Sequence, residues 1–256
     1  MNFRVVIPAR HASSRLPGKP LLAIAGLPMI LHVHDLSLRS GAAEVIVATD
    51  DARIRDACGA AGAVVEMTDA RHASGTDRIA EVAQRRGWTA ADIVVNVQGD
   101  EPLLPPALVG QVAGLLAATP GAAIATLATP IESDADYLDP NVVKVVSRPD
   151  GMALYFSRAP IPWDRDGAAE SPTGVGRHHG SRRHLGLYAY RVGALLALAD
   201  TAPAEIERRE RLEQLRALAM GLAIVVADAA VSPGPGVDTP EDLARAEAIL
   251  QGARRR

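Results

Sequence analysis

EVIVATDDARIRDACGAAGAVVEM, residues 44–67, contains in one stretch the pattern that decides the fold of this chain. Its first part, EVIVATD (44–50), is a short apolar run rich in Val and Ile, which is typical of a buried strand. The middle part (51–62) has helical spacing and ends in a glycine, a common helix terminator. A second apolar run, AVVEM (63–67), follows at once. The stretch therefore predicts one strand-helix-strand unit.

The same alternation continues on both sides of this unit. Further apolar runs predict strands, and the segments between them have helical spacing: strands FRVVIP (3–8), DIVVNVQ (92–98) and AIATLA (123–128), with helices at 28–40, 76–87 and 105–119. Strands that alternate with helices tend to lie parallel, with helices on both faces. We therefore expect an α/β fold, Rossmann-like, with a doubly wound and mostly parallel sheet in a single domain over residues 1–256.

The pattern changes after residue 130. VVKVVSR (142–148), MALYFSR (152–158) and HLGLYAYR (184–191) are strand-like, with no long helix between the first two. This predicts a small antiparallel insertion over about residues 130–190. The Gly- and charge-rich stretch 164–183 is typical of a mobile loop.

The C-terminal part returns to helices and a strand. EIERRERLEQLRALAMG (205–221) predicts one continuous helix, and LAIVVAD (222–228) predicts a buried strand. TPEDLARAEAIL (239–250) predicts a closing helix with Thr239 as its N-cap, a proline at the first helical position and acids in the first turn.

The composition argues against several classes of protein. The net charge of −3 gives no general attraction to nucleic acid or to a membrane surface, and the single cysteine, Cys58, cannot form a disulfide framework. The sequence contains neither a signal-peptide pattern nor an apolar run of about 20 residues. We therefore expect a cytoplasmic protein that binds neither nucleic acid nor membranes.

Lysine is scarce in an arginine-rich chain. Of 27 basic residues, 25 are Arg, and only Lys19 and Lys144 are Lys. If arginine replaced lysine wherever any positive charge was enough, these two positions require a compact ammonium group. Chance survival of two lysines is the alternative.

The loop after the first strand is rich in cations. ARHASSRLPGKPL (9–21) holds Arg10, Arg15 and Lys19 among small residues, which favours a cradle for a polyphosphate. It has neither the Walker A spacing nor a GxGxxG turn. A solvated basic loop is the alternative. Ligands bind at the carboxyl ends of strands in doubly wound sheets, so this loop lies on the expected edge.

Two further loops follow strands at that edge. Ser74, Gly75 and Thr76 lead into a helix that carries Arg78, where they indicate either a helix cap or part of the ligand site. NVQGDEP (96–102) places Gln98, Asp100 and Glu101 at the end of a buried strand, with a glycine that allows close backbone approach.

Asp100 is a candidate Mg²⁺ ligand, because Mg²⁺ prefers one or two carboxylates together with phosphate oxygens and water. Asp238, in another strand-to-helix loop, is a candidate second ligand if it faces Asp100 across the site. Alternatively, Asp100 only caps the next turn.

Seven motifs, in this order and at these intervals, resemble 3-deoxy-manno-octulosonate (Kdo) cytidylyltransferases. They are PARHASSRLPGKPL (8–21), RHASGTDR (71–78), VNVQGDEP (95–102), ALYFSRAPIPWDRD (153–166), HLGLYAYR (184–191), LEQLR (212–216) and GVDTPEDL (236–243). The resemblance covers roughly residues 2–250, and it departs from the family in surface helices and in the 167–181 loop. It implies a nucleotidyltransferase fold whose antiparallel insertion supports a homodimer.

The resemblance also implies roles for individual residues. The expected nucleotide-binding residues are Ala9, Arg10, Arg15, Lys19, Ser74, Gly75, Thr76 and Arg78. The expected sugar-binding residues are Gln98, Arg158, His184, Tyr188, Glu213 and Gln214. Arg10, Lys19, Asp100 and Asp238 are expected to act in catalysis, the two aspartates as Mg²⁺ ligands. Without the resemblance, His184 and Tyr188 would be interpreted as packing residues, and Glu213 and Gln214 as a helix surface.

The implied reaction is attack of the anomeric hydroxyl of Kdo on the α-phosphorus of CTP, which yields CMP-Kdo and pyrophosphate for lipopolysaccharide synthesis. Catalysis of this type depends on positioning and on charge neutralisation. The nearest alternative is a CMP-sialic acid synthetase with a different sugar pocket. A non-catalytic nucleotide sensor is a second alternative, although it would not need both metal ligands.

Overall fold

The computed structural model describes residues 2–12, 16–170 and 178–254. The strands are β1 Arg4–Ala9, β2 Ala23–Ile24, β3 Leu27–Pro28, β4 Glu44–Thr49, β5 Val64–Met67, β6 Ile93–Asn96, β7 Ile124–Pro130, β8 Lys144–Ser147, β9 Ala153–Ser157, β10 Arg182–Arg191 and β11 Ile224–Asp228. The α-helices are α1 Met29–Leu38, α2 Ala52–Ala60, α3 Gly75–Arg85, α4 Pro106–Ala118, α5 Asp134–Leu138, α6 Arg165–Glu170, α7 Val192–Ala199, α8 Glu205–Glu210, α9 Gln214–Ala219 and α10 Pro240–Arg254. A short 3₁₀-helix spans Lys19–Leu21.

The stretch 44–67 folds as the predicted strand-helix-strand unit. β4 and β5 pair in parallel, with Ile46 opposite Val64, and α2 connects them. The carboxylate of Asp51 caps α2 by accepting a hydrogen bond from the Arg53 amide at 2.9 Å. Such a cap satisfies one of the amides that a helix start leaves without a partner.

The main sheet has the strand order β11-β7-β10-β6-β1-β4-β5, and only β10 in this path is antiparallel to its neighbours. Side chains of β1 alternate between two hydrophobic cores, with Val5 and Ile7 in one and Val6 in the other. Residues of α1, α2 and α4 form the first core, while α3, α7 and α9 contribute to the second. The predicted doubly wound, mostly parallel α/β fold is therefore confirmed.

The antiparallel segment begins after β7. β8 and β9 form a hairpin, and β8 also pairs with the start of β10. β10 then continues between β6 and β7, so the last strand of the predicted insertion lies inside the main sheet. Within the predicted loop 164–183, residues 165–170 form α6 instead of a loop, and residues 171–177 lie outside the described part of the chain.

One prediction for the C-terminal part is wrong. Residues 205–221 form two short helices, because Arg211 adopts a left-handed backbone conformation (φ 53°) that ends α8. The polar periodicity that predicted one helix cannot report this break, which tertiary contacts of Glu207 and Arg216 stabilise. The closing helix begins as predicted, since the Thr239 hydroxyl accepts a hydrogen bond from the Asp242 amide at 3.2 Å. Among the described helices, none is both long and apolar enough to span a lipid bilayer.

Candidate active site

A cavity of about 260 Å³ lies at the carboxyl ends of β1 and β6. Its lining contains Pro8, Ala9, Arg10, Ala12, Lys19, Pro20, His72, Ala73, Ser74, Gly75, Arg78, Gln98, Gly99, Asp100 and Asp238. The loops after two neighbouring parallel strands thus meet the start of α3, as expected at the ligand edge of such a sheet. A side chain in place of Gly99 would put its Cβ 3.1 Å from the Pro8 carbonyl oxygen, so the predicted close approach is present.

Lys19 lies between the two predicted metal ligands. Its Nζ donates to Asp100 Oδ2 at 2.7 Å and to Asp238 Oδ1 at 2.9 Å, although the aspartates are far apart in the chain. Burial lowers the pKa of Lys19, but the charges and hydrogen bonds of the two carboxylates outweigh burial and hold it above its ordinary value. The site therefore keeps an ammonium ion that two carboxylates share.

Other charged groups surround this ion pair. Arg10 is exposed and forms no hydrogen bond or ion pair with the described residues, so its guanidinium is available to a ligand. Arg15 lies outside the described residues. Burial, together with the charges of Asp100 and Asp238, raises the pKa of Glu101 to about 7.

The turn at residues 74–76 has two functions. The Ser74 hydroxyl accepts from the Asp77 amide at 3.1 Å, and Asp77 Oδ2 accepts from the Ser74 amide at 3.0 Å, a complete capping box. Ser74 and Gly75 also line the cavity, whereas Thr76 lines a second cavity. Gly75 lines both cavities, so this turn lies between them.

Arg78 lies in the cavity wall but is already paired. It is 3% exposed, and its Nη2 donates to Asp50 Oδ2 at 2.8 Å while Nη1 donates to the Thr68 hydroxyl. The guanidinium therefore links Asp50, which follows β4, to Thr68, which follows β5. These contacts hold it in the wall of the cavity.

The second cavity, of about 250 Å³, shares Gly75 and Gln98 with the first. It is lined by Gly75, Thr76, Asn96, Gln98, Tyr188, Tyr190, Glu213 and Gln214. Burial raises the pKa of Glu213, and the hydroxyls of Thr76 and Ser74 and the charge of Arg216 oppose that rise. Burial also raises the pKa of Tyr188, so its phenol stays protonated as a hydrogen-bond donor. Four of the six predicted sugar-binding residues meet here.

Two amides of this cavity define its chemistry. Gln98 Nε2 donates to Asn96 Oδ1 at 2.8 Å, which orients the Gln98 carboxamide. Gln214 is 7% exposed, and its Nε2 is buried without a hydrogen-bond partner among the described residues. A buried donor without a partner costs free energy, so such a group indicates a missing acceptor.

His184 and Arg158 lie outside this second cavity. His184 lines an adjoining cleft with Gln98; its Nε2 lies 3.0 Å from the Thr126 hydroxyl, and burial lowers its pKa to about 3. Arg158 donates from Nε to the Glu210 carbonyl at 2.6 Å and from Nη1 to the Pro140 carbonyl at 2.8 Å. Its Nη2 forms no hydrogen bond with the described residues, so only part of the guanidinium is left for a ligand.

The sequence assigned no role in the site to Asn96, Tyr190 or Glu101. Tyr190 follows Tyr188 by two residues on β10, so strand alternation could have placed both phenols on one face. Asn96 and Glu101 flank Gln98 and Asp100 within a motif that had already been recognised. No sequence signal marks the Asn96 to Gln98 hydrogen bond.

The donor set fits Mg²⁺. No cluster of three or more His, Cys, Asp or Glu side chains suited to a metal occurs among the described residues. Two carboxylates that converge on one cation nevertheless match Mg²⁺, which takes its remaining ligands from phosphate and water. Asp100 and Asp238 are the residues that would hold it.

A doubly wound sheet whose ligand edge carries cations, converging carboxylates and an adjoining polar pocket defines a nucleotide-dependent enzyme of the nucleotidyltransferase class. Residues 4–224 match the Cytidylyltransferase family. Two relatives named 3-deoxy-manno-octulosonate cytidylyltransferase are similar along the whole chain. The protein of Thioalkalivibrio sulfidiphilus is 55% identical, over 98% of this chain and 100% of the relative, and that of Pseudomonas syringae pv. syringae is 54% identical, over 98% of each.

The chain therefore belongs to the 3-deoxy-manno-octulosonate cytidylyltransferase family. Its fold also superimposes on that of a solved CMP:2-keto-3-deoxy-manno-octonic acid synthetase complexed with CTP. The TM-score is 0.88 at 42% identity, and the match covers 98% of this chain and 99% of the other.

Proposed function

We propose that this chain transfers CMP from CTP to Kdo, with Mg²⁺ as its cofactor, in the cytoplasm and for lipopolysaccharide synthesis. The observation that carries the proposal is the meeting of the two cavities at Gln98. One cavity has the cations and carboxylates that a triphosphate and its metal require. The other has the amides, phenols and carboxylate that hydrogen-bond the hydroxyls of a sugar.

The chain's own residues bind and orient the reactants. Arg10 and Lys19 hold the phosphates, and the turn at Ser74 and Gly75 seats the nucleotide. Gln98, with its amide oriented by Asn96, lies where the sugar meets the α-phosphate. When bound at Asp100 and Asp238, Mg²⁺ supplies charge neutralisation and makes the attacking hydroxyl more acidic.

In the reaction, the anomeric oxygen forms a bond to the α-phosphorus and the bond to the diphosphate breaks. Pyrophosphate leaves, and the hydroxyl proton passes to solvent. The protein thus acts by holding the oxygen and the phosphorus in line and by stabilising negative charge.

The test is pyrophosphate release with CTP and either Kdo or N-acetylneuraminate. A pocket that hydrogen-bonds particular hydroxyls penalises a ligand that leaves those partners unpaired, so we expect strong preference for Kdo. Comparable specificity constants for the two sugars would contradict the Kdo assignment and leave cytidylyl transfer standing. No release with any acidic sugar would favour a nucleotide sensor.

Variants of the carboxylates test the metal site in the same assay. Asp100→Asn and Asp238→Asn are each expected to abolish nearly all turnover with the fold intact, because the acids hold Mg²⁺. Asp35→Asn, which removes an exposed partner of Arg39 on α1, is the matched control and should keep full activity.

We also propose that the protein is a homodimer, whose second copy covers the β8–β9 hairpin. Leu154 on β9 is 58% exposed, and Trp163 and Leu138, also in the 130–190 segment, are 54% and 43% exposed. β9 pairs only with β8 among the described strands. Exposed apolar side chains on a short edge strand are typical of a subunit contact.

A further inference from the structure

The position of Lys19 has a consequence for metal binding. Its ammonium bonds the same two carboxylates that are proposed to hold Mg²⁺, at 2.7 and 2.9 Å. The Lys19 side chain is only 10% exposed, whereas the two carboxylates are 38% and 48% exposed, so a largely buried ammonium reaches two acids that remain open to solvent. The Lys19 ammonium therefore already occupies the position between Asp100 and Asp238.

An ammonium and Mg²⁺ compete for these two carboxylates. Mg²⁺ binds carboxylate oxygens at roughly 2.0–2.1 Å, and the ammonium already contacts one oxygen of each carboxylate, Oδ2 of Asp100 and Oδ1 of Asp238. Two cations on the same oxygens would also repel each other strongly. We infer that Lys19 acts as a resident substitute for the metal, and that its ammonium must leave the two carboxylates before a divalent cation binds there. This inference rests on the proposed metal site.

The displaced ammonium requires new acceptors. In the cavity that Lys19 lines, Arg10 also lacks a partner among the described residues, so both cations require acceptors there. The oxygens of a nucleotide triphosphate would supply the acceptors. Nucleotide therefore draws Lys19 away from Asp100 and Asp238, and divalent cation releases Lys19 to the phosphates. By linkage, each ligand must raise the affinity for the other.

Lys19 thereby prevents premature metal binding. Without nucleotide, the metal must compete with an ammonium ion that is already hydrogen-bonded to both ligands. With nucleotide, this competition ends, and the carboxylates become available when the phosphates are in place. The device links assembly of the metal site to the presence of substrate.

The test measures Mn²⁺ binding to the nucleotide-free protein, by electron paramagnetic resonance of the free ion. Lys19→Met removes the charge while keeping an unbranched side chain, and we expect it to bind Mn²⁺ about 10-fold more tightly than the unmodified protein does. Arg10→Met is the matched control, because it removes a cation of the same cavity that does not contact the carboxylates. It should leave the Mn²⁺ affinity unchanged. Asp100→Asn should abolish the binding in every background.

A second measurement follows Lys19 directly in the unmodified protein. The chain has only two lysines, and Lys144 is fully buried, so amine acetylation followed by mass spectrometry distinguishes them easily. Acetylation of Lys19 should become faster when Mg²⁺ is added and slower again when CTP follows. Lys144 should stay protected throughout.

The outcomes separate this inference from the proposed function. Equal Mn²⁺ affinities for Lys19→Met and the unmodified protein, with loss in Asp100→Asn, would overturn the role of Lys19 and leave the metal site intact. Equal tightening by Arg10→Met would show a general electrostatic effect and would also overturn it. Mn²⁺ binding that does not depend on Asp100 would overturn the metal site and this inference together.

Discussion

Individual buried polar groups of the ligand site differ from those of the rest of the fold in whether they have a hydrogen-bond partner. Gln214 Nε2 is buried without a partner among the described residues, whereas the buried Lys144 ammonium donates to the carbonyls of Asp139 and Val142 at 2.8 and 2.6 Å. A satisfied buried group stabilises the fold. A buried group without a partner in a cavity wall costs the folded chain free energy, but it can donate a hydrogen bond to a bound ligand.

Gln214→Leu tests this distinction. Removal of a buried donor that has no partner should leave the free energy of unfolding unchanged or increase it, as measured by urea denaturation. The KM for the sugar should rise roughly fivefold, the equivalent of about one lost hydrogen bond of 1 kcal/mol. The KM for CTP should not change. A clear loss of stability would instead show that the amide serves the core.

His184 gives a prediction about pH. Burial holds its pKa at about 3, well below that of an exposed histidine, so the unfolded chain binds a proton in a range where the folded chain does not. The contribution of the neutral His184 side chain to the free energy of unfolding is complete above about pH 6.5 and is lost as the pH falls. His184→Gln removes the titration. Between pH 6.5 and 5, the unmodified protein should lose about 2 kcal/mol more stability than the variant. Parallel stability profiles would contradict a neutral, buried His184.

At the scale of elements, the corner between α8 and α9 positions the sugar pocket. Arg216 pairs with both carboxylate oxygens of Glu207, at 2.9 and 2.6 Å, and also donates from Nη1 to the Leu198 and Thr201 carbonyls. Glu207 in turn accepts from the Ala204 amide at 3.0 Å. This network holds the end of α7, α8 and α9 together where Glu213 and Gln214 enter the cavity.

Glu207→Gln should therefore affect both stability and substrate binding. It leaves a buried guanidinium without its counter-charge, which costs about 3 kcal/mol. The KM for Kdo should rise while the KM for CTP stays nearly constant, since only the sugar pocket lies on this corner.

Arg191→Lys is the control for this prediction. Arg191 also donates to main-chain carbonyls, those of Ala122 and Leu116, but it lies away from both cavities. This change should lower stability without altering either KM. If Glu207→Gln loses stability while both KM values stay unchanged, the corner between α8 and α9 stabilises the fold but does not position the sugar pocket.

At the scale of the whole molecule, the proposed homodimer gives a measurable mass. Light scattering at micromolar concentration should give twice the mass of the chain. Leu154→Lys places a charge on the exposed edge strand, so it should shift the equilibrium toward the monomer. Ile249→Lys, at a residue of α10 that is 45% exposed, is the control and should leave the dimer intact. A monomer at all concentrations would contradict the proposal.

Much of this architecture follows from local sequence. Continuous apolar runs, separated by segments of helical spacing, place β1, β4, β5, β6 and β7 and the helices between them, because a strand buried on both faces is recognised from a local pattern alone. The loops that carry Arg10, Ser74 and Asp100 are likewise predictable, since parallel strands bring their carboxyl ends to one edge. The cap of α10 at Thr239 also depends only on neighbouring residues.

Other features depend on contacts between distant parts of the chain. β10 lies between β6 and β7 through pairing that its own sequence does not specify, and Arg211 ends α8 within a segment of continuous helical periodicity. The contact of Lys19 with Asp100 and Asp238 joins residues 81 and 219 positions apart. Local sequence alone determined which residues reach the ligand edge, because strand and helix patterns act over a few residues. Only the tertiary structure decided which of these residues are paired and which are free, because hydrogen bonds and burial depend on side chains that the fold brings together.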